Sequence, residues 1–338
     1  MDQSTKTNQS PRAPSNHPAP WRCMVCAATL STLSWAAPSV EAQVVAPKST
    51  TPPAVAPLQQ DRSDPIVNLS ALDSVSPSCW SEVRTLRVYF AHQSVGSEIL
   101  TGLAEVHRRY PSVALACCAY AEPDQTDGAA QSAFDTPGIV GATAGKRGYP
   151  EQKIDEFSRF LRSSEGAKID VAMLKLCYGD IGRNTNIDAL VERYLKAVAE
   201  IQRERPTLRL VHCTVPLKSP EESASRIKRL VGVGTDASNA ARARYNAAIR
   251  QQFPLAQVFD IAAAQARRTD GTEATVEHKG KRLQVLASEY TDDGASLNRK
   301  GQIVLAREML LALSKQCDGE TPTGTGVTSA TSTGKTEP

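Results

Sequence analysis

The chain has 338 residues, and 41% of them are hydrophobic, which is enough to bury the core of one large or two ordinary domains. Its net charge of +3 at pH 7 and its 5% aromatic content exclude the strongly basic, base-stacking surface typical of nucleic-acid-binding proteins. We therefore expect no nucleic-acid partner.

Residues 1–43 have the pattern of a secretory signal peptide with a long polar start. Arg12 and Arg22 precede the short apolar run M-V-C-A-A-T-L-S-T-L-S-W-A-A-P-S, and an A-x-A-like motif, V-E-A, precedes Gln43. The apolar run is too short to cross a bilayer comfortably, so we expect no stable membrane insertion. The pattern predicts export, and the alternative is a membrane anchor.

Two segments beside the predicted domain lack core-forming sequence. Residues 44–78 begin with a Pro/Thr/Ala-rich stretch that predicts an extended linker. Residues 318–338, rich in Thr and Gly, predict a disordered tail. One folded domain is therefore predicted between Cys79 and Cys317.

Export would leave six cysteines in the mature chain: Cys79, Cys117, Cys118, Cys177, Cys213 and Cys317. In an oxidising compartment an even number favours disulfides, and a bond between Cys79 and Cys317 would join the two ends of the domain. The alternative is buried thiols, since Cys177 and Cys213 lie in apolar, strand-like runs. The spacings are not those of a zinc site, and we expect no metal and no other cofactor.

Within the domain, apolar runs alternate with helical patterns. Five strands are predicted at 86–90, 113–120, 171–178, 208–215 and 256–261, with a long loop between the second strand and Pro150. Helices are predicted from Val95, from Pro150, behind a Thr185-x-x-Asp188 capping pattern, at Ala237–Phe253 and at Ile303–Leu313. Apolar strands that alternate with helices predict an α/β fold, a three-layer α/β/α sandwich with a parallel, flavodoxin-like sheet of about five strands. Ligands of such sheets bind beyond the carboxyl ends of the strands.

Ser94, in F-A-H-Q-S-V-G (90–96), lies where the first strand meets the first helix. A hydroxyl at this position is a good helix N-cap. The same position suits a nucleophile, because the first N–H groups and the positive dipole end of the helix stabilise an oxyanion. Position alone leaves both interpretations open.

Three blocks of the sequence resemble the SGNH (GDSL-like) hydrolases in order and spacing. They are F-A-H-Q-S-V-G, D-V-A-M-L-K-L-C-Y-G-D and Y-T-D-D-G-A-S-L-N-R-K-G. More narrowly, they resemble a bacterial exported subgroup with His-Gln-Ser in place of Gly-Asp-Ser, over about residues 85–315. The resemblance implies a flavodoxin-like sandwich and a serine esterase or acetyltransferase-like mechanism in the periplasm or outside the cell. The implied partner is a small-molecule or glycan ester, with acyl groups on sugars, lipids or small esters.

The resemblance assigns Ser94 as the nucleophile and Asp293 as the acid of the catalytic triad, while Ser296 occupies the position of the histidine base. A serine hydroxyl is no base near pH 7. His92 is the candidate replacement, because residues i and i+2 of an extended strand point the same way. The alternative is that His92 positions the loop or a substrate. His212, on the fourth strand, is predicted to satisfy hydrogen bonds in the core.

The oxyanion hole also departs from the family pattern, since Gly179 stands where the family has the Asn of Gly-x-Asn-Asp. Candidate replacements are the N–H of Val95, the glycines of 141–148, and the side chain of Asn184 or Asn186.

Three charged residues near strand ends have open roles. Asp180 either binds a substrate hydroxyl or caps a turn. Lys175 either extends its amine to water or pairs with a buried carboxylate. Asp260 is a candidate helix cap.

Two functions are therefore predicted. The first is an exported serine esterase or deacylase that uses Ser94 and Asp293 with a non-standard base. The second is a degenerate domain of the same fold that binds an acylated glycan or another cell-envelope component without turnover, because loss of one triad member removes most of the rate. The substrate, the disulfide pairing and the oligomeric state stay open.

Overall fold

The computed structural model describes residues 67–120, 132–220 and 235–317. Six strands in these ranges form one sheet: β1 Arg87–His92, β2 Cys117–Ala119, β3 Gly138–Thr143, β4 Val171–Leu174, β5 Arg209–Cys213 and β6 Val258–Phe259. All neighbours pair in parallel, in the order β2-β3-β1-β4-β5-β6. The predicted signal peptide, most of the predicted linker and the predicted tail lie outside the described residues.

The described α-helices are α1 Pro77–Val83, α2 Val95–Arg109, α3 Pro150–Leu161, α4 Ile187–Glu204, α5 Thr235–Gln252, α6 Ile261–Ala266 and α7 Arg299–Ser314. A two-stranded antiparallel hairpin, β7 Thr275–His278 and β8 Lys281–Gln284, follows α6. Short 3-10 turns lie at Ser70–Ser74, Pro111–Val113, Gly166–Lys168, Leu255–Gln257 and Ser288–Tyr290. None of the helices in these ranges combines the length and the apolar character that a membrane span requires.

Neighbouring residues of β1 are buried in two different cores. Val88 and Phe90 belong to the core that contains residues of α1, α2, α6 and α7, whereas Tyr89 and Ala91 belong to the core that contains residues of α3, α4 and α5. A strand that is apolar on both faces is typical of a parallel sheet covered on both sides. The predicted three-layer α/β/α sandwich is confirmed.

The sheet has one strand more than the five predicted, because β3 lies in the stretch that the sequence predicted to be a loop. Its sequence is G-I-V-G-A-T, with few large apolar residues. The small residues have a packing reason, since a Cβ on Gly141 would lie 2.4 Å from Cδ1 of Leu100 and 2.8 Å from Nε2 of His92. The side chains of Leu100 and His92 therefore leave no room for a larger residue at position 141 of β3.

β1 is the topological switch point of the sheet, because the strands that follow it in the chain are added first on one side of it and then on the other. Strands β3 and β2 lie on one side of β1, and β4, β5 and β6 lie on the other. Loops that leave a sheet at such a point diverge and leave a crevice beyond the carboxyl ends of the strands. Ser94 directly follows β1 at this crevice.

The packed domain begins before the predicted boundary at Cys79. Val67, Leu69 and Leu72 are all buried in the core on the α2 side of the sheet. Apolar side chains that are removed from water in this way stabilise the fold, so the predicted linker ends earlier than residue 78.

The predicted cap of α4 is wrong by one residue. The side chain of Asn186 accepts the cap hydrogen bond from the N–H of Ala189 at 3.2 Å. Thr185 instead accepts a hydrogen bond from the N–H of Gly182 at 3.0 Å. The predicted cap at Asp260 is confirmed, because its carboxylate accepts from the first turn of α6.

Candidate active site

Ser94 lies on a sharp turn between β1 and α2. Its dihedral angles, φ 49° and ψ −111°, are in a region that residues with a side chain rarely occupy. The residue is exposed, and its hydroxyl makes no capping hydrogen bond. The interpretation of the hydroxyl as a helix cap is therefore wrong. A strained turn that presents a hydroxyl at a helix N-terminus is the geometry of a nucleophile.

Gln93, the residue before Ser94, is held from three directions. Its backbone oxygen accepts a hydrogen bond from Nζ of Lys175 at 2.7 Å. Its side-chain oxygen accepts from Nζ of Lys153 at 2.9 Å, and its side-chain amide donates to the carbonyl oxygen of Gly145. These bonds fix the chain on the N-terminal side of Ser94, and α2 fixes the other side. Strained backbone persists where the surroundings over-determine it in this way.

Lys153 is itself held by a buried ion pair. Its Nζ lies 2.7 Å from Oδ2 of Asp180, and the two side chains are 1% and 0% exposed. The same carboxylate accepts from the N–H of Cys177 at 2.6 Å and from the N–H of Gly148 at 2.8 Å. Both oxygens of Asp180 are thus bound within the protein. The predicted contact of Asp180 with a substrate hydroxyl is not supported, and Asp180 acts as a positioning residue.

His92 ends β1, and its imidazole lies beneath the first turn of α2. A Cβ on Gly96 would lie 2.3 Å from Cβ of His92, which shows how closely the helix approaches this side chain. Burial, with a smaller contribution from Lys175, lowers the pKa of His92 to about 3, so the ring is neutral at pH 7. Its Nδ1 has no hydrogen-bond partner in the described part of the chain.

The geometric condition for His92 to act as the base is not met in this structure. Extended backbone ends at His92, and the turn at Ser94 departs from the strand direction. Residues i and i+2 therefore do not point the same way here. The arrangement favours the alternative that His92 positions the loop, and the base role stays a prediction.

Lys175 is buried, with 1% of its surface exposed. Its Nζ lies 2.7 Å from the carbonyl oxygen of Gln93 and 3.7 Å from Sγ of Cys177. Burial lowers its pKa. Neither predicted role applies, since the amine does not reach water and has no carboxylate at ion-pair distance among the described residues.

Asp293 lies in the loop before α7 and accepts hydrogen bonds from that loop. Its Oδ2 accepts from the hydroxyl of Ser296 at 2.8 Å, and its Oδ1 accepts from the N–H of Ser296 at 2.7 Å and of Ala295 at 2.8 Å. These bonds, that of the Ser296 hydroxyl first, lower the pKa of Asp293 to about 2. The carboxylate is therefore ionised at neutral pH, with a serine where the resemblance expects an imidazole.

The Asp293 loop is joined to the helix that begins after Ser94. The N–H of Leu297 donates to Oε2 of Glu98 at 2.8 Å, and Glu98 lies one helical turn after Ser94. Burial raises the pKa of Glu98, and the charge of Asp293 adds to this effect. The two predicted triad members thus belong to one rim of the sheet.

The loop after β5 contacts the same acidic loop. The N–H of Ser219 donates to the carbonyl oxygen of Gly294 at 2.9 Å. A Cβ on Gly294 would lie 3.5 Å from Cβ of Ser219, so the two loops are in direct contact. Loops after β1, β4 and β5 therefore lie at the same rim of the sheet as the Asp293 loop.

The oxyanion candidates differ in what they already bind. Val95 is the first residue of α2, so its N–H is one of the donors that a helix leaves without an intrahelical acceptor. The N–H groups of Gly145 and Gly148 are used by the carboxylates of Glu156 and Asp180, at 2.6 Å and 2.8 Å. Val95 is therefore the best placed of these donors.

The remaining candidates lie in the loop after β4. Gly179 and Asn184 are exposed there. Asn186 caps α4 through its side-chain oxygen, whereas an oxyanion would accept from its side-chain amide nitrogen. The roles predicted for Gly179, Asn184 and Asn186 stay predictions.

The sequence analysis identified neither Glu98 nor Lys153. A signal was present for Lys153, because it falls in the buried stripe of α3 between Pro150 and Ile154. A lysine within an apolar stripe usually has a buried partner, since its charge is costly to remove from water. The buried thiols Cys177 and Cys213 agree with one of the two cysteine interpretations.

Comparisons with known proteins do not show a family. No family model matches the chain, and no curated protein matches it. Among solved structures, the chain is similar to an acetyl esterase mutant with acetate ion at 13% identity, over 69% of this chain and 98% of the other, with a TM-score of 0.38. It is similar to a protein described as lipolytic and of the G-D-S-L family, from Desulfitobacterium hafniense DCB-2, at 11% identity, 67% and 98% coverage and a TM-score of 0.35.

A peptidoglycan O-acetylesterase is similar at 14% identity, over 54% of this chain and 47% of the other, with a TM-score of 0.32. Similarities with identities and TM-scores this low are not evidence of activity.

Proposed function

We propose that this chain is an exported serine esterase or deacylase that acts on acyl esters, those of carbohydrates included, through Ser94. The observation that carries the proposal is the strained, exposed Ser94 at the N-terminus of α2. Supporting it, the loop of Asp293 is bonded to the first turns of the same helix through Glu98. A nucleophile at a helix N-terminus and an acidic loop beside it are two of the three parts that acyl transfer to a serine uses.

In the proposed reaction the oxygen of Ser94 forms a bond to the acyl carbon, and the N–H of Val95 stabilises the oxyanion. The carbon–oxygen bond to the alcohol then breaks, and the alcohol leaves with the proton that the Ser94 hydroxyl gave up. Water subsequently attacks the acyl-serine, which releases the carboxylic acid and restores the hydroxyl. Because Ser296 supplies no base, we expect turnover far below that of a complete triad.

A second function is favoured by the state of the two candidate acid–base groups. Asp293 accepts hydrogen bonds from its own loop and not from an imidazole, and His92 is buried and neutral at pH 7. A domain in this condition would keep the crevice and bind an acylated glycan or another cell-envelope component without turnover.

Hydrolysis of p-nitrophenyl acetate separates the two functions. For an esterase, we expect Ser94→Ala to remove the activity and Ser97→Ala, an exposed serine on the same helix turn, to retain it. His92→Ala distinguishes a base from a positioning residue, provided that its thermal unfolding shows an intact fold. If wild type and Ser94→Ala hydrolyse the ester at the same rate, the esterase function is contradicted and the binding function is supported.

Export is proposed from the sequence pattern of residues 1–43. N-terminal sequencing of the protein recovered from a periplasmic or culture fraction tests it. Recovery of the chain solely from the cytoplasm, with residues 1–43 intact, would contradict export while leaving the esterase proposal standing.

A further inference from the structure

Three cationic side chains surround Tyr178, in the loop after β4. The guanidinium carbon of Arg147 lies 5.2 Å from the centre of the Tyr178 ring, and Nζ of Lys218 lies 5.5 Å from it. Nε of Arg242 donates to the carbonyl oxygen of Tyr178 at 3.0 Å. We call Arg147, Tyr178, Lys218 and Arg242 the Tyr178 cluster.

Hydrogen bonds to buried groups hold the Tyr178 cluster in place. Arg242 donates through Nη1 to Oδ1 of Asn239 at 2.7 Å, and Nδ2 of Asn239 donates to the carbonyl oxygen of Lys218 at 2.9 Å. Asn239 is fully buried in α5. On the opposite side, a Cβ at Gly179 would lie 2.7 Å from Nε of Arg147. The glycine therefore makes room for this guanidinium.

The cluster has positive charge that the described residues do not balance. None of its three cations has a carboxylate at ion-pair distance within these residues. Arg242 is 4% exposed, and burial lowers its pKa to about 10, so it remains charged at neutral pH. A buried charge without a counter-ion is costly, and Lys153, by contrast, has Asp180. The arrangement is that of a site for an anion.

The cluster lies on the same rim as the candidate nucleophile. Cys177, the neighbour of Tyr178, has its Sγ 3.5 Å from the carbonyl oxygen of Gln93, next to Ser94. Ser219, the neighbour of Lys218, is bonded to the loop of Asp293. A group bound at the cluster would therefore belong to the molecule whose ester lies at Ser94.

We propose that the Tyr178 cluster binds an oxyanion of the substrate, a carboxylate or a phosphate, so that the ester acted on is an acidic one. The guanidinium of Arg147 suits both groups, because an arginine can donate two parallel hydrogen bonds to a carboxylate or a phosphate. The acyl-ester part of this statement rests on the proposed function, whereas the binding of the anion does not.

Binding is tested on the full mature chain at low salt by titrating glucuronate, glucose 6-phosphate and neutral glucose and following thermal unfolding. We expect at least one acidic sugar to raise the unfolding temperature while glucose does not. Arg147→Gln and Lys218→Gln should each weaken that binding about fivefold, the loss of one charge-assisted contact. The matched control is Lys146→Gln, since Lys146 lies over the ring of Tyr149 instead and should bind as wild type does.

The two acidic sugars distinguish a carboxylate site from a phosphate site. A second readout compares KM for 4-acetoxybenzoate, which is anionic, with KM for neutral p-nitrophenyl acetate. We expect Arg147→Gln to raise the first KM and not the second. If the acidic sugars bind but no ester is hydrolysed, the anion site is supported and the esterase function is contradicted. Equal effects of glucose and the acids, or binding unchanged in Arg147→Gln and Lys218→Gln, would overturn the site.

Discussion

The hydroxyl of Ser296 donates a hydrogen bond to Oδ2 of Asp293 at 2.8 Å. In a serine hydrolase triad this carboxylate would instead hold an imidazole, which takes the proton of the nucleophile. The serine thus keeps the acid ordered and ionised but leaves it without a base to orient.

Restoring the histidine should therefore restore activity. We expect Ser296→His to increase turnover of p-nitrophenyl acetate about 100-fold or more, with a rate that rises as the imidazole loses its proton. The control is Ser296→Ala, which removes the bond to Asp293 without adding a base and should not increase the rate. A Ser296→His variant no faster than Ser296→Ala would show that position 296 does not face the nucleophile.

Removal of Lys153 should destabilise the domain strongly. Lys153→Met leaves the buried carboxylate of Asp180 without its partner, which typically costs about 3–5 kcal/mol of unfolding free energy. Lys196→Met, at an exposed lysine of α4, should change it by less than about 0.5 kcal/mol. Urea unfolding measures both, and equal effects of the two substitutions would contradict the buried ion pair.

Acid should weaken the fold through its buried histidines. Burial lowers the folded-state pKa of His92 and of His212 to about 3, against about 6.5 in an unfolded chain. Between these values the unfolded state binds protons that the folded state does not, so stability falls as pH falls. From pH 7 to pH 5 the loss is about 2 kcal/mol for each histidine.

The substitution His212→Phe tests this loss of stability between pH 7 and pH 5 at a histidine that lies outside the candidate active site. The ring of His212 stacks on Phe253 with centres 3.4 Å apart, and its Nδ1 lies 2.9 Å from the hydroxyl of Tyr194, which confirms its predicted role in the core. The variant should lose about 2 kcal/mol less than wild type between pH 7 and pH 5 in urea unfolding. An unchanged dependence on pH would contradict a neutral, buried His212.

Cys79 in α1 and Cys317 after α7 lie close together. Sγ of Cys317 donates to the carbonyl oxygen of Cys79 at 3.3 Å, and Sγ of Cys79 donates to that of Ser314 at 3.2 Å. We expect a disulfide between them after oxidation, worth about 5–6 kcal/mol in the chain-entropy model. Peptide mapping without reduction should find that pair, and pairs that involve the buried Cys177 or Cys213 would contradict it.

The sequence predicts the layers of the fold because strands that are buried on both faces consist mostly of apolar residues. β1 and β4 are buried on both faces, so apolar residues, including Val, Phe, Met, Leu and Ala, make up most of the two strands. β3 escapes prediction because His92 and Leu100 lie so close over Gly141 that large residues are excluded. A strand made of small residues has the composition of a loop.

The site is predictable where it depends on position along the chain, and less so where it depends on side-chain partners. Ser94 and Asp293 follow from motif order, and the fold brings their loops to one rim. The ion pair of Lys153 with Asp180 joins α3 to the loop after β4, and no local pattern specifies that partner. The cations around Tyr178 come from three separate segments, for the same reason.

Covalent labelling with a fluorophosphonate measures directly whether Ser94 is an activated nucleophile. We expect a modified peptide that contains Ser94, no such peptide in Ser94→Ala, and faster labelling in Ser296→His. Absence of label at Ser94 in both wild type and Ser296→His, with the fold intact, would contradict an activated Ser94.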